Sequence, residues 1–488
     1  MPKEKFFITT AIDYVNDTIH LGHAFQKVIA DVLARFYRLK LGDSNVFFLT
    51  GTDEHGQKVE KAAQNAQIPV KDYVDEIAQS DKLQQNALNI SYNRFIRTTD
   101  KDHLKVAQEI WQRVNKNGDI YLGEFSGLYC SGCEAYYSED ELINGRCPLH
   151  PNLKIQKITE KNFFFRWSKY QDFLIKNLEE NPNFVFPESR RNEMLAFAKK
   201  GIHDIPISRT SFQWGIPVPN EPNHVMYVWF DALTNYLTGV GFLENSDLFN
   251  KFWPADIHIL GKDNLRWHAL LWPAMLKSAG IELPKTILVN GFLTLNGQKI
   301  SKSTGNIIRP TDWVKKYGAD AVRFYLLRHR TIIEDSDISE EKLKSAYKAD
   351  LAHGLGNYNS RVLTLIVCDP KIQIHLDDLN EKLIQEKVKE IKNTVDRKIE
   401  EFKLNEALAA IWELISFGDK YLNENEVWKI SNVTEKSQKL ANLIYILLNV
   451  AELLKPFLPQ TSEKILSQIE AKNNKCAIKK IETLFPKI

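Results

Sequence analysis

The apolar residues of the first fifty positions change their period twice, and no other feature restricts the fold as much. Phe6-Phe-Ile-Thr-Thr10 is an apolar run of strand length. A turn containing Asn16 and Asp17 follows, and then Ala24, Phe25, Val28, Ile29, Val32, Leu33 and Phe36 recur at helical spacing. Leu41-Gly42-Asp43 closes that helix with a glycine stop signal, and Val46-Phe-Phe-Leu49 is again a strand. Strand, helix and strand joined this tightly make a βαβ unit, which predicts a parallel sheet at the N-terminus.

From about Lys116 to Met226 the alternation stops. This stretch holds the clustered cysteines, the aromatic run Phe163 to Trp167 and several prolines, and it reads as an insertion with little core of its own. The alternation resumes with a strand at Ile257 to Leu260, a helix from Leu265 to Ser278 expected to kink at Pro273, and a strand at Thr286 to Val289. Asn296-Gly297 marks a tight turn, and Asp320 to Arg328 is helical. Beyond Lys344 strand signals largely cease, and amphipathic segments near 346–367, 379–402, 405–423 and 434–455 predict a helix bundle. The predicted fold class is α/β, a Rossmann-like parallel-sheet domain carrying an insertion and followed by an α-helical bundle.

A chain of 488 residues exceeds one small core, so two to four domains are expected. Its formal charge of +2 neither requires nor forbids a nucleic-acid partner, which would have to meet local basic patches. Arg190, Arg191, Lys199 and Lys200 form one basic run, which by itself reads as a solvated helix face. Five cysteines do not make a disulfide scaffold, so a reducing, cytoplasmic setting is expected. No signal peptide or membrane-spanning run is evident, and Leu443 to Leu454, broken by Asn449 and Glu452, reads as a buried helix.

Ligands of open parallel sheets bind beyond the carboxyl ends of the strands. His20-Leu21-Gly22-His23 follows the first strand, Asp53 and His55 the second, Gly261-Lys-Asp263 with His268 a later one, and Asn290 the next. Four strand ends thus deliver polar groups to one edge. Gly22 lets backbone approach a phosphate, and the helix start adds partial positive charge and N–H groups. His20 and His23 can donate to phosphate oxygens, and Asp263 can accept ribose hydroxyls. Lys299-Ile-Ser-Lys302-Ser303 reads as a loop between Gly297 and Gly305, able to close over a pyrophosphate. Taken singly, each of these segments is unremarkable. A Gly-x4-Gly-Lys-Ser/Thr phosphate loop is absent from the sequence.

Together, His20-Leu-Gly-His23, Gly261-x-Asp263-x4-His268 and Lys299-Ile-Ser-Lys302-Ser303 resemble the signatures of class I aminoacyl-tRNA synthetases, with Leu for Ile and Ile for Met as mild departures. Ala11-Ile12-Asp13-Tyr14, Gly51-Thr-Asp53-Glu-His-Gly56 and Tyr227-Val-Trp-Phe-Asp-Ala-Leu-Thr-Asn-Tyr236 narrow the resemblance to the methionyl-tRNA synthetases, over almost the whole chain. The resemblance implies that His20, His23, Lys299 and Lys302 are catalytic, and that Gly22, Gly261, Asp263, His268 and Lys302 bind ATP with magnesium. It places Asp53 on the amino group of L-methionine, and Ile12, Tyr14, Trp229, Ala232 and Tyr236 around its side chain. Aromatic rings suit a thioether, by roughly 0.3–1.5 kcal/mol per contact. Asn290 stands where the family more often has His, so the pocket is expected to be retained and locally adjusted.

Cys130-x2-Cys133-x13-Cys147-x2-His150 has the spacing of a closed tetrahedral Cys3His site, which favours one structural zinc ion that staples the insertion. Cys368 and Cys476 have no partners nearby in sequence and read as ordinary thiols. In the resembling family the terminal bundle reads the anticodon, and Asn357, Arg361 and Trp428 match its RNA-contacting residues. Asn357 and Arg361 lie one helical turn apart, and Trp428 can stack on a splayed base.

These matches imply a methionine–tRNA ligase acting on tRNA(Met), initiator tRNA included, as a monomer. The implied organisation is a catalytic domain in two halves (1–115 and 226–295), a connective insertion (116–225) with its zinc knuckle at about 125–155, a stem-contact region (296–345), an anticodon-binding domain (346–471) and a basic tail (472–488). A class I synthetase for cysteine, leucine or valine is the alternative. The insertion is short for an editing domain, and a cysteine enzyme would hold zinc in its active site. A zinc-stabilised RNA-binding scaffold with a decayed site fits less well, because both histidines and both lysines are intact.

Overall fold

Phe6–Thr10 is buried along its whole length inside a seven-stranded sheet. On one side it pairs with Val46–Asp53, and on the other with Ile257–Gly261, which pairs in turn with Ile287–Asn290. Arg94–Arg97 and the two-residue strand Asp13–Tyr14 also pair with Val46–Asp53. Every pairing in this sheet is parallel. Strands buried on both faces need no polar alternation, which is why they appear in the sequence as continuous apolar runs. The computed structural model describes residues 3–133, 135–137, 139–148, 150–300, 307–376, 379, 381–472, 475–479 and 481–487.

The chain divides into two compact units. The first comprises Met1–Ile19, Leu41–Gln84 and Ser91–Asn290, and the second His20–Lys40, Gln85–Ile90 and Gly291–Ile488.

In the first unit the insertion is woven into the sheet rather than set apart from it. Ile120–Cys130 and Gln156–Phe165 run antiparallel, flanked by Ala135–Tyr137 and Ile205–Pro206 in a four-stranded sheet. Val185–Phe186 then returns to the parallel sheet and pairs with Ile287 and Leu288. Phe165, Trp167, Leu174 and Leu178 share one core with Phe7, Leu49 and Leu260. The insertion has little core of its own because it borrows this one. Just before Pro273, where a kink is expected, the helix carries a π-helical turn, Trp267–Leu271, a kind of irregularity at which helices bend. Pro273 follows in the α-helix Trp272–Ala279, which continues from the π-helical turn without a break.

In the second unit, the expected helix Leu21–Leu41 comes in the chain between the first two long strands. Leu293–Leu295 pairs antiparallel with Gln298–Lys299 across a turn whose two residues, Asn296 (φ 51°) and Gly297 (φ 77°), both adopt the left-handed region that such turns demand. Helices Pro310–Tyr317 and Ala319–Arg328 precede the bundle. The bundle contains Asn357–Val367, Lys382–Glu400, Leu404–Glu424, Val433–Leu454 and Pro459–Gln468. The single helix expected near 346–367 is in fact interrupted by a π-helical stretch, Tyr347–Gly356. After the bundle, Ile469–Lys472 and Lys475–Ile478 form a hairpin that also pairs with Ile374–His375.

One fully buried guanidinium joins several of these pieces. Arg323 pairs with Asp31 at 2.7 Å and donates to the carbonyls of Leu88 (3.2 Å), Pro456 (3.0 Å) and Phe457 (2.7 Å). Asp31 also holds Arg35 at 2.7 Å. A buried charge is tolerated when its hydrogen-bonding capacity is filled in this way.

Candidate active site

Because the four long strands are parallel neighbours, their carboxyl ends share one edge of the sheet, and the first unit gathers the expected amino-acid pocket there. Asp53 is the last residue of its strand and is 9% exposed, while Asn290 ends its own strand, in register with Gly261, at 4%. Ile12 is half-buried and packs against the core, and Tyr14 is half-buried with the ammonium of Lys58 5.6 Å from its ring centre. Trp229 and Ala232 share the short helix Val228–Ala232. The indole of Trp229 stacks on Trp267 at 5.0 Å and meets His268 edge-on at 6.4 Å. Gly261 precedes the 3-10 turn Lys262–Asn264, which carries Asp263, exposed, at its centre.

Tyr236 and His268 are both buried and bonded to each other, the phenol oxygen lying 2.7 Å from Nε2. Nδ1 of His268 is 2.9 Å from the carbonyl of Asn264, so it carries the ring proton, and Nε2 accepts from the phenol. Burial pushes His268 down to about 4 despite that carbonyl. Burial also pushes the Tyr236 phenol up, and the charge of Asp53 adds to the effect. Tyr236 stacks on His258 at 4.2 Å, whose Nδ1 meets the hydroxyl of Thr9 at 2.6 Å and whose pKa burial holds well below the usual imidazole range. Both ring nitrogens of His268 are therefore committed to protein partners. His268, expected to bind ATP, lies here beside Tyr236.

The second unit holds the imidazole pair. His20 and His23 stack at 4.0 Å at the start of their helix. Nδ1 of His23 accepts the amide of His20 at 3.3 Å, and Nδ1 of His20 accepts the amide of Gly22 at 3.1 Å. A ring nitrogen that accepts is unprotonated, so the proton of each ring sits on Nε2. At the helix start the amide of Gly22 bonds Nδ1 of His20, and that of Leu21 bonds the carbonyl of Ile308 at 3.0 Å. A Cβ on Gly22 would lie 2.9 Å from Cε1 of His20, so glycine is required for the ring to fold back. Lys299 belongs to a strand, Gln298–Lys299, rather than to a loop, and Lys302 lies outside the described residues.

Ligand atoms of Cys130, Cys133, Cys147 and His150 all lie within 4.8 Å of one another, as a single metal ion requires. Sγ of Cys133 is 3.4 Å from Sγ of Cys147 and 3.1 Å from Nδ1 of His150. Tyr137 donates its hydroxyl to Cys133 at 3.1 Å, the kind of outer contact that orients a ligand. Gly132 is fixed by the site, because a Cβ there would stand 2.5 Å from Cγ of His150. Cys368 is an exposed and Cys476 a buried free thiol.

Arg361 and Trp428 come together on the bundle, the guanidinium carbon 6.0 Å from the indole centre. Arg361 is held by Asp419 at 2.5 Å and Asn423 at 2.7 Å, and Trp428 is 44% exposed. Asn357 is exposed, one turn before Arg361 on the same helix. A depression of about 410 Å³ lies alongside, lined by Gly354, Ser416, Asp419, Lys420 and Asn423 among others. The basic run at 190–200 is a neutralised helix face, with Arg190 on Glu193 (2.7 Å), Arg191 on Glu188 (3.0 Å) and Lys199 on Glu179 (2.6 Å). Among the described residues no helix is long and apolar enough to cross a membrane.

One further cluster was not predicted by the motifs read from the sequence. Asp231, fully buried, lies between His55 and His103. Burial works against its ionised form, but the two imidazoles prevail and hold its carboxyl below the usual range. A buried acid within the apolar run Val-Trp-Phe-Asp-Ala was the only available clue.

The chain is similar to known proteins over nearly its whole length. The family described as tRNA synthetases class I (M) matches residues 6–157 and 152–363, and the anticodon-binding domain of tRNA ligase matches residues 381–485. The methionine–tRNA ligase of Clostridium perfringens is 43% identical over 97% of this chain and 74% of its own length. That of Rhizobium meliloti is 40% identical over 95% of this chain and 91% of its own. The solved structure of Mycobacterium tuberculosis methionyl-tRNA synthetase in complex with methionyl-adenylate superposes with a TM-score of 0.93, at 37% identity, over 99% of this chain and 100% of that one.

Proposed function

The chain belongs to the class I tRNA synthetases, in the methionine–tRNA ligase family, and from that premise we propose how its residues divide the reaction. It is an ATP-dependent ligase that joins methionine to tRNA. The methionine carboxylate attacks the α-phosphorus of ATP, and pyrophosphate leaves with the electron pair of the broken P–O bond. A terminal ribose hydroxyl of the tRNA then attacks the carbonyl of the adenylate, and AMP departs. No covalent enzyme intermediate is required, because positioning and charge stabilisation carry both steps.

Asp53 accepts the α-ammonium group, while Ile12, Tyr14, Trp229, Ala232, Tyr236 and Asn290 surround the side chain. Nε2 of His268 accepts the hydrogen bond of the Tyr236 phenol, so the oxygen lone pairs and the ring face the ligand in one fixed state. Asp263 holds the ribose, with Gly261 leaving room for backbone approach. His20 and His23 donate Nε2–H to the phosphates, and Lys299 and Lys302 stabilise charge on the leaving pyrophosphate. Magnesium bound with ATP would neutralise further phosphate charge. The Cys3His cluster holds zinc, whose preference for four tetrahedral sulfur and nitrogen ligands fits the donor set.

Residues 346–471 bind the anticodon of tRNA(Met), including the initiator, through Asn357, Arg361 and Trp428. Residues 116–225 and 296–345 serve as connective insertion and stem contact. The protein acts as a monomer in the cytoplasm. The observation that carries this reading is the buried Tyr236–His268 pair at the same strand edge as Asp53. ATP–pyrophosphate exchange with each amino acid tests it. Methionine alone should support rapid exchange, and failure of methionine would overturn the reading.

A further inference from the structure

Asp231 lies between Trp229 and Ala232 on the helix Val228–Ala232, with no exposed surface. Its Oδ2 accepts from Nδ1 of His55 at 2.7 Å, and its Oδ1 from Nε2 of His103 at 2.8 Å. His103 is fully buried as well, and its Nδ1 is 3.2 Å from the hydroxyl of Thr238. A buried carboxylate is expensive unless its lone pairs are used, and these two rings use them.

His55 stands two residues after Asp53, and the backbone around it is fixed at several further points. Arg97 grips the carboxylate of Glu54 with two bonds of 2.6 and 2.8 Å, and Thr52 donates to it at 2.7 Å. Trp214 donates its indole N–H to the carbonyl of Glu54 at 2.6 Å and accepts the amide of Gly56 at 3.0 Å. Of these partners, Asp231 is the one that sits on the helix of Trp229 and Ala232. It therefore links the ammonium-binding end of the pocket to the side-chain end.

We propose that Asp231 is a positioning residue for the amino acid. Acting through His55, it sets the distance between the carboxylate of Asp53 and the helix of Trp229 and Ala232, so that only a ligand with both an α-ammonium group and a fitting side chain spans the pocket. The inference rests on the assignment of Asp53 to the ammonium group.

The test compares methionine with 4-(methylthio)butanoate, which lacks the α-amino group, by their Kd for the full-length protein in tryptophan-fluorescence titrations. Wild type should prefer methionine, and equal affinity would overturn the assignment of Asp53 and the inference together. Asp231→Asn and His55→Ala should each erode that preference by roughly ten- to a hundredfold, the worth of one misplaced charge-assisted hydrogen bond, with the KM for ATP unchanged. His55→Asn, whose side-chain amide can occupy the place of Nδ1–H, should restore it. Should Asp231→Asn fail to fold, the two His55 variants decide the matter, because His55 is at the margin of the core. With wild-type preference intact, a loss of affinity equal for both ligands, or an undiminished preference in His55→Ala, would overturn the role of Asp231 and leave Asp53 standing.

Discussion

Tyr236 and His268 are joined by a hydrogen bond of 2.7 Å whose direction is set from behind, by the carbonyl of Asn264 on the far ring nitrogen. Tyr236→Phe removes the donor and leaves a buried, bare Nε2. Such an unsatisfied group costs about 1–3 kcal/mol, or roughly 5- to 150-fold in equilibrium terms. The KM for methionine in pyrophosphate exchange should rise within that range, and the KM for ATP should not move.

Acid should weaken the same pair. His268 binds its second proton at about 4 in the folded chain and at 6.5 when unfolded. Between those values the unfolded state holds more protons, so stability rises with pH. The stabilisation is complete above 6.5 and is lost as pH falls toward 4, by about 3 kcal/mol from this group. Burial shifts His258 in the same direction. Urea midpoints measured from pH 7.5 down to 4.5 should fall, and the fall should be shallower in His268→Gln.

Removing metal should unfold the knuckle locally. Wild type should bind about one zinc per chain by elemental analysis, and Cys147→Ala should bind far less. Gly132→Ala is the sharper variant, since its methyl would displace His150 without removing any ligand. It should weaken zinc retention against a chelator, and wild-type retention in this variant would count against the Cys3His assignment.

The pair formed by Asp31 and Arg323 is buried on both sides. Truncating one partner strands the other, at about 3–5 kcal/mol. Arg323→Ala should therefore lower the urea midpoint markedly. Arg35→Ala removes only a partly exposed partner of the same aspartate and should cost much less.

Arg361→Ala and Trp428→Ala should reduce kcat/KM for tRNA(Met) while leaving methionine-dependent pyrophosphate exchange unchanged. Stacking of one base on an aromatic ring is worth about 1–3 kcal/mol, so the Trp428 variant should lose roughly 5- to 150-fold. Equal losses in both assays would mean that the substitutions disturb the fold instead.

What could be read from the sequence was what is encoded locally. The strands at Phe6 and Val46, the helix between them and the Cys3His spacing each declare themselves within a few neighbouring residues. The turn at Asn296-Gly297 did so through the backbone angles those residues permit. Val185–Phe186 did not, because two residues carry no period and their strand identity comes wholly from Ile287 and Leu288. The contacts of Asp231 span 176 positions to His55 and 128 to His103, beyond the reach of any local pattern. His268 was singled out by its motif. Its attachment to Tyr236 was not, because the π-helical turn that presents it has no sequence signal.

The placement of Phe6–Thr10 also bears on synthesis. Ile8 is in register with Phe48, made soon after it, and with Ile257, made some 250 residues later. At about 5–20 residues per second the ribosome takes roughly 12–50 s to deliver that second neighbour. For that interval the nascent sheet carries an apolar strand with an open edge, the kind of template that invites pairing between chains. Trigger-type chaperone occupancy of the emerging chain should accordingly persist until Ile257–Gly261 has cleared the exit tunnel, a delay that ribosome-bound fragments ending before and after that strand would expose.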